Sequence, residues 1–148
     1  VRTVEVVDGS YSIRDIPQGS YQMDMSRSAD DVPRSAIKAS DALAALKIGV
    51  GVTQDATSHQ LIAADVNQNG KVNAQDALEI LKIAVNHEDA LDKRFVFVDA
   101  DQDLSGMTAR KAQYQTGMRM DDLNADLSDQ DFIGILLGDV NGNYVDLV

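Results

Sequence analysis

Shifted by 35 residues, the chain lies over itself: residues 29–50 and 64–85 agree at ten of 22 positions. The identities are Ala29/Ala64, Asp30/Asp65, Ala39/Ala74, Asp41/Asp76, Ala42/Ala77, Leu43/Leu78, Leu46/Leu81, Lys47/Lys82, Ile48/Ile83 and Val50/Val85. A duplicated unit of this size is one supersecondary element that cannot bury its apolar face alone, so the copies are expected to pack together. Each copy ends in helical periodicity. Ala42, Leu43, Leu46, Ile48 and Val50 trace one apolar face, and Ala77, Leu78, Leu81, Ile83 and Val85 trace another.

The second copy carries chemistry at its start. Calcium takes six to eight oxygens, and a twelve-residue loop supplies them from positions 1, 3, 5, 7, 9 and 12. Counted from Asp65, those positions hold Asp65, Asn67, Asn69, the Lys71 carbonyl, Asn73 and Asp76. Gly70 stands at position 6, where the chain must turn sharply, and the apolar Val72 at position 8 can tuck the loop against a core. Only Asp65 and Asp76 bring charge, so the expected affinity is weak, about 10⁻⁴ M. The first copy keeps Asp30 and Asp41 at positions 1 and 12 but places Val32, Arg34 and Lys38 at 3, 5 and 9. Arg34 or Lys38 lying between Asp30 and Asp41 would replace the charge of an ion there. One calcium is predicted for the duplicated unit, in the 65–76 loop, and none at 30–41.

With Asp rather than Glu at position 12, followed at once by Ala77-Leu78-Glu79-Ile80-Leu81-Lys82, the second copy resembles the dockerin repeat, a loop plus a single helix used in pairs. The resemblance covers residues 28–87. It implies a small calcium-folded module of the EF-hand type that docks onto cohesin domains and assembles extracellular complexes. The family's recognition positions would fall on Ala39, Ser40, Leu46 and Lys47, and on Ala74, Gln75, Leu81 and Lys82. Family members often carry hydroxyls at the first two positions of each set, and here only Ser40 does.

Two more acidic stretches lie further along the chain. Asp99, Asp101 and Asp103 alternate, but Leu104 stands where an EF-hand would have Gly. The stretch reads either as a calcium loop of another kind or as a solvated hairpin end. Asp139, Asn141 and Asn143 repeat the opening of the 65–76 loop, yet position 12 would fall beyond the last residue. An ion there needs a ligand from elsewhere, with Asp129, Asp131 or a neighbouring subunit as donors.

The flanks read as β. Residues 3–7, 11–16 and 21–25 are short strand patterns separated by Asp8-Gly9 and Pro17-Gln18-Gly19. The phrases Asp8-Gly9-Ser10-Tyr11-Ser12-Ile13 and Ile16-Pro17-Gln18-Gly19-Ser20-Tyr21 resemble the closing half of a carboxypeptidase-regulatory-like (prealbumin-type) β-sandwich. Three short strands bury no core alone and need partners. Residues 95–98, 107–115 and 118–123 are predicted strands, and 131–137 is an apolar segment compatible with strand or helix. The predicted fold class is α+β: a dockerin-like pair of loop-helix repeats flanked by β-rich segments that pair into one sheet or sandwich. The boundaries are 1–27 (β-rich), 28–90 (repeats) and 91–148 (β-rich with acidic loops).

Composition narrows the function. The formal charge is −11, and 21 Asp stand against 3 Glu. Short carboxylates suit tight loops around a hard cation. With no basic stripe, nucleic acid is excluded as a partner. No apolar run is long enough to span a bilayer. No cysteine is present, so disulfides and thiolate sites are excluded and a metal is one candidate staple. The two histidines, His59 and His87, are far apart with no nucleophile beside them. Absent Trp and 5% aromatics argue against a sugar cleft, so no enzyme is expected. Val1 at the start, without a visible signal peptide, suggests excision from a longer chain. The expected function is a non-catalytic, calcium-stabilised, secreted or cell-surface docking module, its partner a cohesin-like domain or copies of itself. The alternative is a structural subunit of a calcium-bound extracellular filament, assembled by β-strand addition.

Overall fold

In the computed structural model, which describes residues 1–144, the duplicated sequence becomes two eleven-residue helices, α1 (Ala39–Gly49) and α3 (Ala74–Ala84), packed against each other. Both start the same way. The Asp at the third helical residue turns back to accept the N–H of the residue before the helix: Asp41 Oδ2 from Lys38 at 2.8 Å, Asp76 Oδ2 from Asn73 at 3.0 Å. This satisfies one of the donors that a helix start leaves open. Both also end the same way. Gly51 and Asn86 take positive φ (81° and 53°), and the N–H groups of Val52 and His87 return to the carbonyls of Lys47 and Lys82, each at 2.9 Å. That pairing closes the last turn as a Schellman motif. A short helix α2 (Ser58–Ala64) lies between them in the chain, opened by a reciprocal Thr57–Gln60 capping box.

The apolar residues of α1 and α3 do not form one face, as the periodicity predicts, but two. Ala42, Ala45 and Ile48 of α1, and Ala77 and Ile80 of α3, are buried; Leu43, Leu46 and Val50, and Leu78, Leu81 and Val85, stand outward. Small residues let the two backbones approach closely, so alanine rather than leucine fills the contact. Where α1 meets the start of α3, a Cβ on Gly49 would lie 2.8 Å from Asn73 Cα.

The strands are four: β1 (Gly19–Met23), β2 (Phe95–Asp99), β3 (Met118–Leu123) and β4 (Phe132–Leu136). They form two separate antiparallel ribbons, β1–β3 and β2–β4, rather than the single sheet or sandwich expected. β2 alternates, with Val96 and Val98 inward; β4, within the apolar segment that could have been strand or helix, pairs along it from Phe95/Leu136 to Asp99/Phe132. Gly134 is required there, since a Cβ would stand 2.7 Å from the Phe97 ring. Of the three N-terminal patterns only the last becomes a strand. Residues 3–7 and 11–16 are largely exposed, with one isolated bridge, Val7–Ser10, around the positive-φ pair Asp8-Gly9. The predicted strand 107–115 is instead a turn, bridged between Thr108 and Lys111. One core joins these parts: Ile37, Ile62, Val66, Ile80, Val98, Leu137 and Val140 are almost wholly buried in it. Among the described residues no helix is long and apolar enough to cross a membrane.

Candidate metal centre

Helix α2 delivers the loop. Asp65 is its C-cap, with φ −77° and ψ 66°, so the chain leaves the helix at the first proposed ligand. The Asp65 side chain then organises the turn beyond it: Oδ1 accepts the Asn69 N–H at 3.1 Å and Oδ2 the Gly70 N–H at 2.8 Å. Asn67 Oδ1 accepts from Asn69 N (3.1 Å), and Asn69 Oδ1 from Lys71 N (3.0 Å). The turn needs φ of 58° at Gln68 and 84° at Gly70. At Gly70 a side chain is excluded twice over, by that φ and by Gln113, whose Cγ would lie 2.8 Å from a Cβ.

Beyond the turn, Val72 is buried and Asn73 opens α3, its Oδ1 accepting from Gln75 N at 2.8 Å. Asp76 then closes the ring of oxygens from the helix side, and Asn67 N–H reaches its Oδ1 at 3.4 Å. Positions 1, 3, 5, 9 and 12 thus lie around one turn of chain. Segments distant in sequence brace it from outside. Val72 N–H donates to the Ala109 carbonyl (2.6 Å), and Ala112 N–H to the Gly70 carbonyl (2.9 Å). The Arg94 guanidinium donates to the Val66 carbonyl (2.6 Å) and to Gln68 Oε1 (3.1 Å). Sequence reasoning missed these braces: it reads residues 107–115 as a strand and gives Arg94 no role.

The electrostatics are those of a site short of positive charge. Asp65 and Asp76 are 1% and 0% exposed. Burial pushes the Asp76 carboxyl up to about 6, opposed by its N–H donors and reinforced by the charge of Asp65. Burial likewise raises Asp65. Two buried carboxylates without a Lys or Arg paired to either, among the described residues, are costly unless a cation lies between them. The carboxylate and amide oxygens keep lone pairs beyond those used by the N–H donors. Hard oxygens in a tight loop, with two negative charges and no sulfur or imidazole, fit calcium.

The other candidates divide. Among the described residues no three acidic or histidine side chains converge on a metal position, so Asp99, Asp101 and Asp103 do not form such a cluster. Asp99 Oδ1 accepts from Asp101 N, and Asp103 Oδ1 from Ser105, as in successive small turns. Asp30 is exposed, and neither Arg34 nor Lys38 stands between it and Asp41; both cations are exposed and neither is paired with Asp41 among the described residues. Asp41, by contrast, is fully buried. Asp139 is buried as well, and the carboxylate it meets is Asp41 rather than Asp129 or Asp131, both of which are exposed. Asn141 and Asn143 follow Asp139 on the surface.

Residues 35–86 match the family profile of the Dockerin type I domain. The match spans about a third of the chain, from just before α1 to the end of α3. No curated protein and no solved structure matches the chain. At a general level the match supports a non-catalytic, calcium-binding, protein-docking module for this segment.

Proposed function

We propose that this chain is a calcium-stabilised docking module of a secreted or cell-surface protein. It holds one ion in the 65–76 loop through Asp65, Asn67, Asn69, the Lys71 carbonyl, Asn73 and Asp76. The observation that carries this reading is the pair of fully buried, uncompensated carboxylates, Asp65 and Asp76, at the two ends of a loop otherwise lined by amide oxygens. Calcium offsets their repulsion, and closing the loop fixes the start of α3. α3 in turn packs on α1, so the ion sets how the two helices present their outer faces.

Those outer faces are the docking surface. Leu43 and Leu78 are each 52% exposed, and Leu46/Leu81 and Val50/Val85 repeat the match, so duplication has produced two like apolar rows. The recognition positions implied by the dockerin resemblance include Leu46, Lys47, Leu81 and Lys82, on or beside these rows. A cohesin-like domain is the partner class the match favours. Assembly into a filament is the second reading; it draws on the β1–β3 ribbon, a two-stranded sheet with an edge on either side among the described residues.

Calorimetric titration of the metal-free chain with calcium tests the reading. One binding event at about 10⁻⁴ M, lost in Asp65→Ala, is expected. Undiminished binding in that variant would overturn it. Sizing with and without calcium separates the two assembly modes: a monomer that binds a cohesin domain supports docking, and growing fibres support the filament.

A further inference from the structure

The first copy of the repeat keeps Asp41 but has no loop of its own to set against it. Something else lies there. The chain leaves β4 at Leu136, turns through Gly138, whose N–H donates to the Ala63 carbonyl at 2.8 Å, and lays residues 139–144 against the start of α1. Four hydrogen bonds that shape the first half of the 65–76 loop have counterparts here. Asn143 N–H donates to Asp139 Oδ1 (3.2 Å) as Asn69 N–H does to Asp65 Oδ1 (3.1 Å). Asn143 N–H also reaches Asn141 Oδ1 (3.0 Å), as Asn69 N–H reaches Asn67 Oδ1 (3.1 Å). Tyr144 N–H donates to Asp139 Oδ2 (3.1 Å), as Gly70 N–H does to Asp65 Oδ2 (2.8 Å). Val140 is buried like Val66, and Gly142 takes the positive φ of Gln68. The second half comes from α1: Asn141 N–H donates to Asp41 Oδ1 (3.1 Å), as Asn67 N–H does to Asp76 Oδ1 (3.4 Å).

Hydrogen bonds alone would make this only a well-formed turn. The independent observation is charge. Asp41 is 0% exposed and Asp139 8%; Asn141 links them, its N–H on Asp41 Oδ1 and its Oδ1 on the Asn143 N–H that also reaches Asp139 Oδ1, and neither carboxylate has a Lys, Arg or His paired with it among the described residues. Two buried carboxylates held by one short segment with no counter-charge call for a cation.

We propose that a second calcium ion is held here by a split loop: Asp139, Asn141 and Asn143 from the segment after β4, closed by Asp41 of α1. The proposal deepens the reading of the 65–76 loop as a calcium site, since the two share one ligand pattern. The Lys38 side chain, at position 9, supplies no oxygen, so water completes that side. Asn141 and Asp41 are 100 residues apart in sequence. The ion would therefore tie the segment after β4 to the first repeat, as a disulfide does in chains with cysteines.

The test is calcium stoichiometry of the full chain by calorimetry, with variants that strike one site each. The wild type is expected to bind two ions, Asp139→Ala one, Asp65→Ala one, and the double variant none. Asn143→Ala, at an exposed residue, guards against misfolding of Asp139→Ala and should weaken one of the two events several-fold. One ion in the wild type, lost in Asp65→Ala and unaffected by Asp139→Ala and Asn143→Ala, would overturn the split site while leaving the 65–76 site standing. One ion lost in Asp139→Ala but kept in Asp65→Ala would do the reverse.

Discussion

The two copies of the repeat have kept the same helix and parted company over the loop before it. In the second copy the loop is contiguous with its helix: oxygens from Asp65, Asn67, Asn69 and Asn73 lead directly to Asp76. In the first, the matching stretch has turned inward as core. Val32, Ala36 and Ile37, at positions 3, 7 and 8, are 3%, 4% and 1% exposed, while Asp30 at position 1 has moved out into solvent. The difference teaches that helix and ligand loop are separable inheritances. An Asp at the third residue of a helix serves first as a cap for the N–H at its start, and that role persists in Asp41 with no loop attached. Its leftover charge is then available to whatever segment the fold brings against it.

Several substitutions would break or sharpen this contrast, beginning with the largest effect. Ile37→Ala should cost about 2–5 kcal/mol in chemical denaturation, with or without calcium, because the first copy's loop acts as core. A loss that depended on calcium would contradict that assignment. Asp76→Ala should remove the part of the calcium-dependent stability that the 65–76 loop supplies. This is roughly 2.7 kcal/mol at a hundredfold excess of calcium over Kd, visible as a smaller rise in melting temperature. Asp30→Ala should leave that rise intact and change stability by less than about 0.5 kcal/mol. If both Asp substitutions erase the response equally, the copies act as one site and the contrast fails.

Acidity offers a milder probe. The folded, metal-free chain holds the Asp76 carboxyl at about 6 against an ordinary 3.8, so the folded state binds a proton more tightly than the unfolded state between those values. Metal-free stability should therefore fall as pH rises from about 4 to 6. Calcium binding needs the charged form, so the gain on adding calcium should grow over the same interval and level off above it. A pH-independent calcium effect on the melting curve would count against Asp76 as a ligand. Smallest of all in the isolated chain, Leu43→Ala combined with Leu78→Ala should shift stability by no more than about 0.5 kcal/mol per site, these side chains being half in solvent. In the same variant, affinity for a cohesin domain should drop by an order of magnitude or more. Unchanged affinity would move the docking surface elsewhere.

How much of the fold is legible in the chain depends on the range of the interactions. The 65–76 loop is legible because its oxygen-bearing side chains are spaced by local geometry alone. The helices are legible for the same reason, though not which of their faces is inner. With Ala42 and Ala45 on one side and Leu43 and Leu46 on the other, hydrophobicity favours the leucines, whereas close helix packing selects the alanines. Residues 3–7 and 11–16 alternate as strands do, but among the described residues no strand pairs with them; Tyr11 meets Phe132 and the Gln130 carbonyl by its side chain alone, and a strand without a ladder is not a strand. The pairing of β1 with β3, and of Asp41 with Asp139, joins residues about a hundred apart. No spacing rule reaches that far, so sequence reasoning offers Asp129 and Asp131, which are near in the chain, as donors for Asp139 and passes over Asp41.

The most direct test of the calcium assignment is diffraction from crystals grown with millimolar calcium, with anomalous differences collected at long wavelength. A peak is expected within coordination distance of Asp65, Asn67, Asn69 and Asp76. Featureless anomalous density in the 65–76 loop, with Asp65 and Asp76 well ordered, would contradict it.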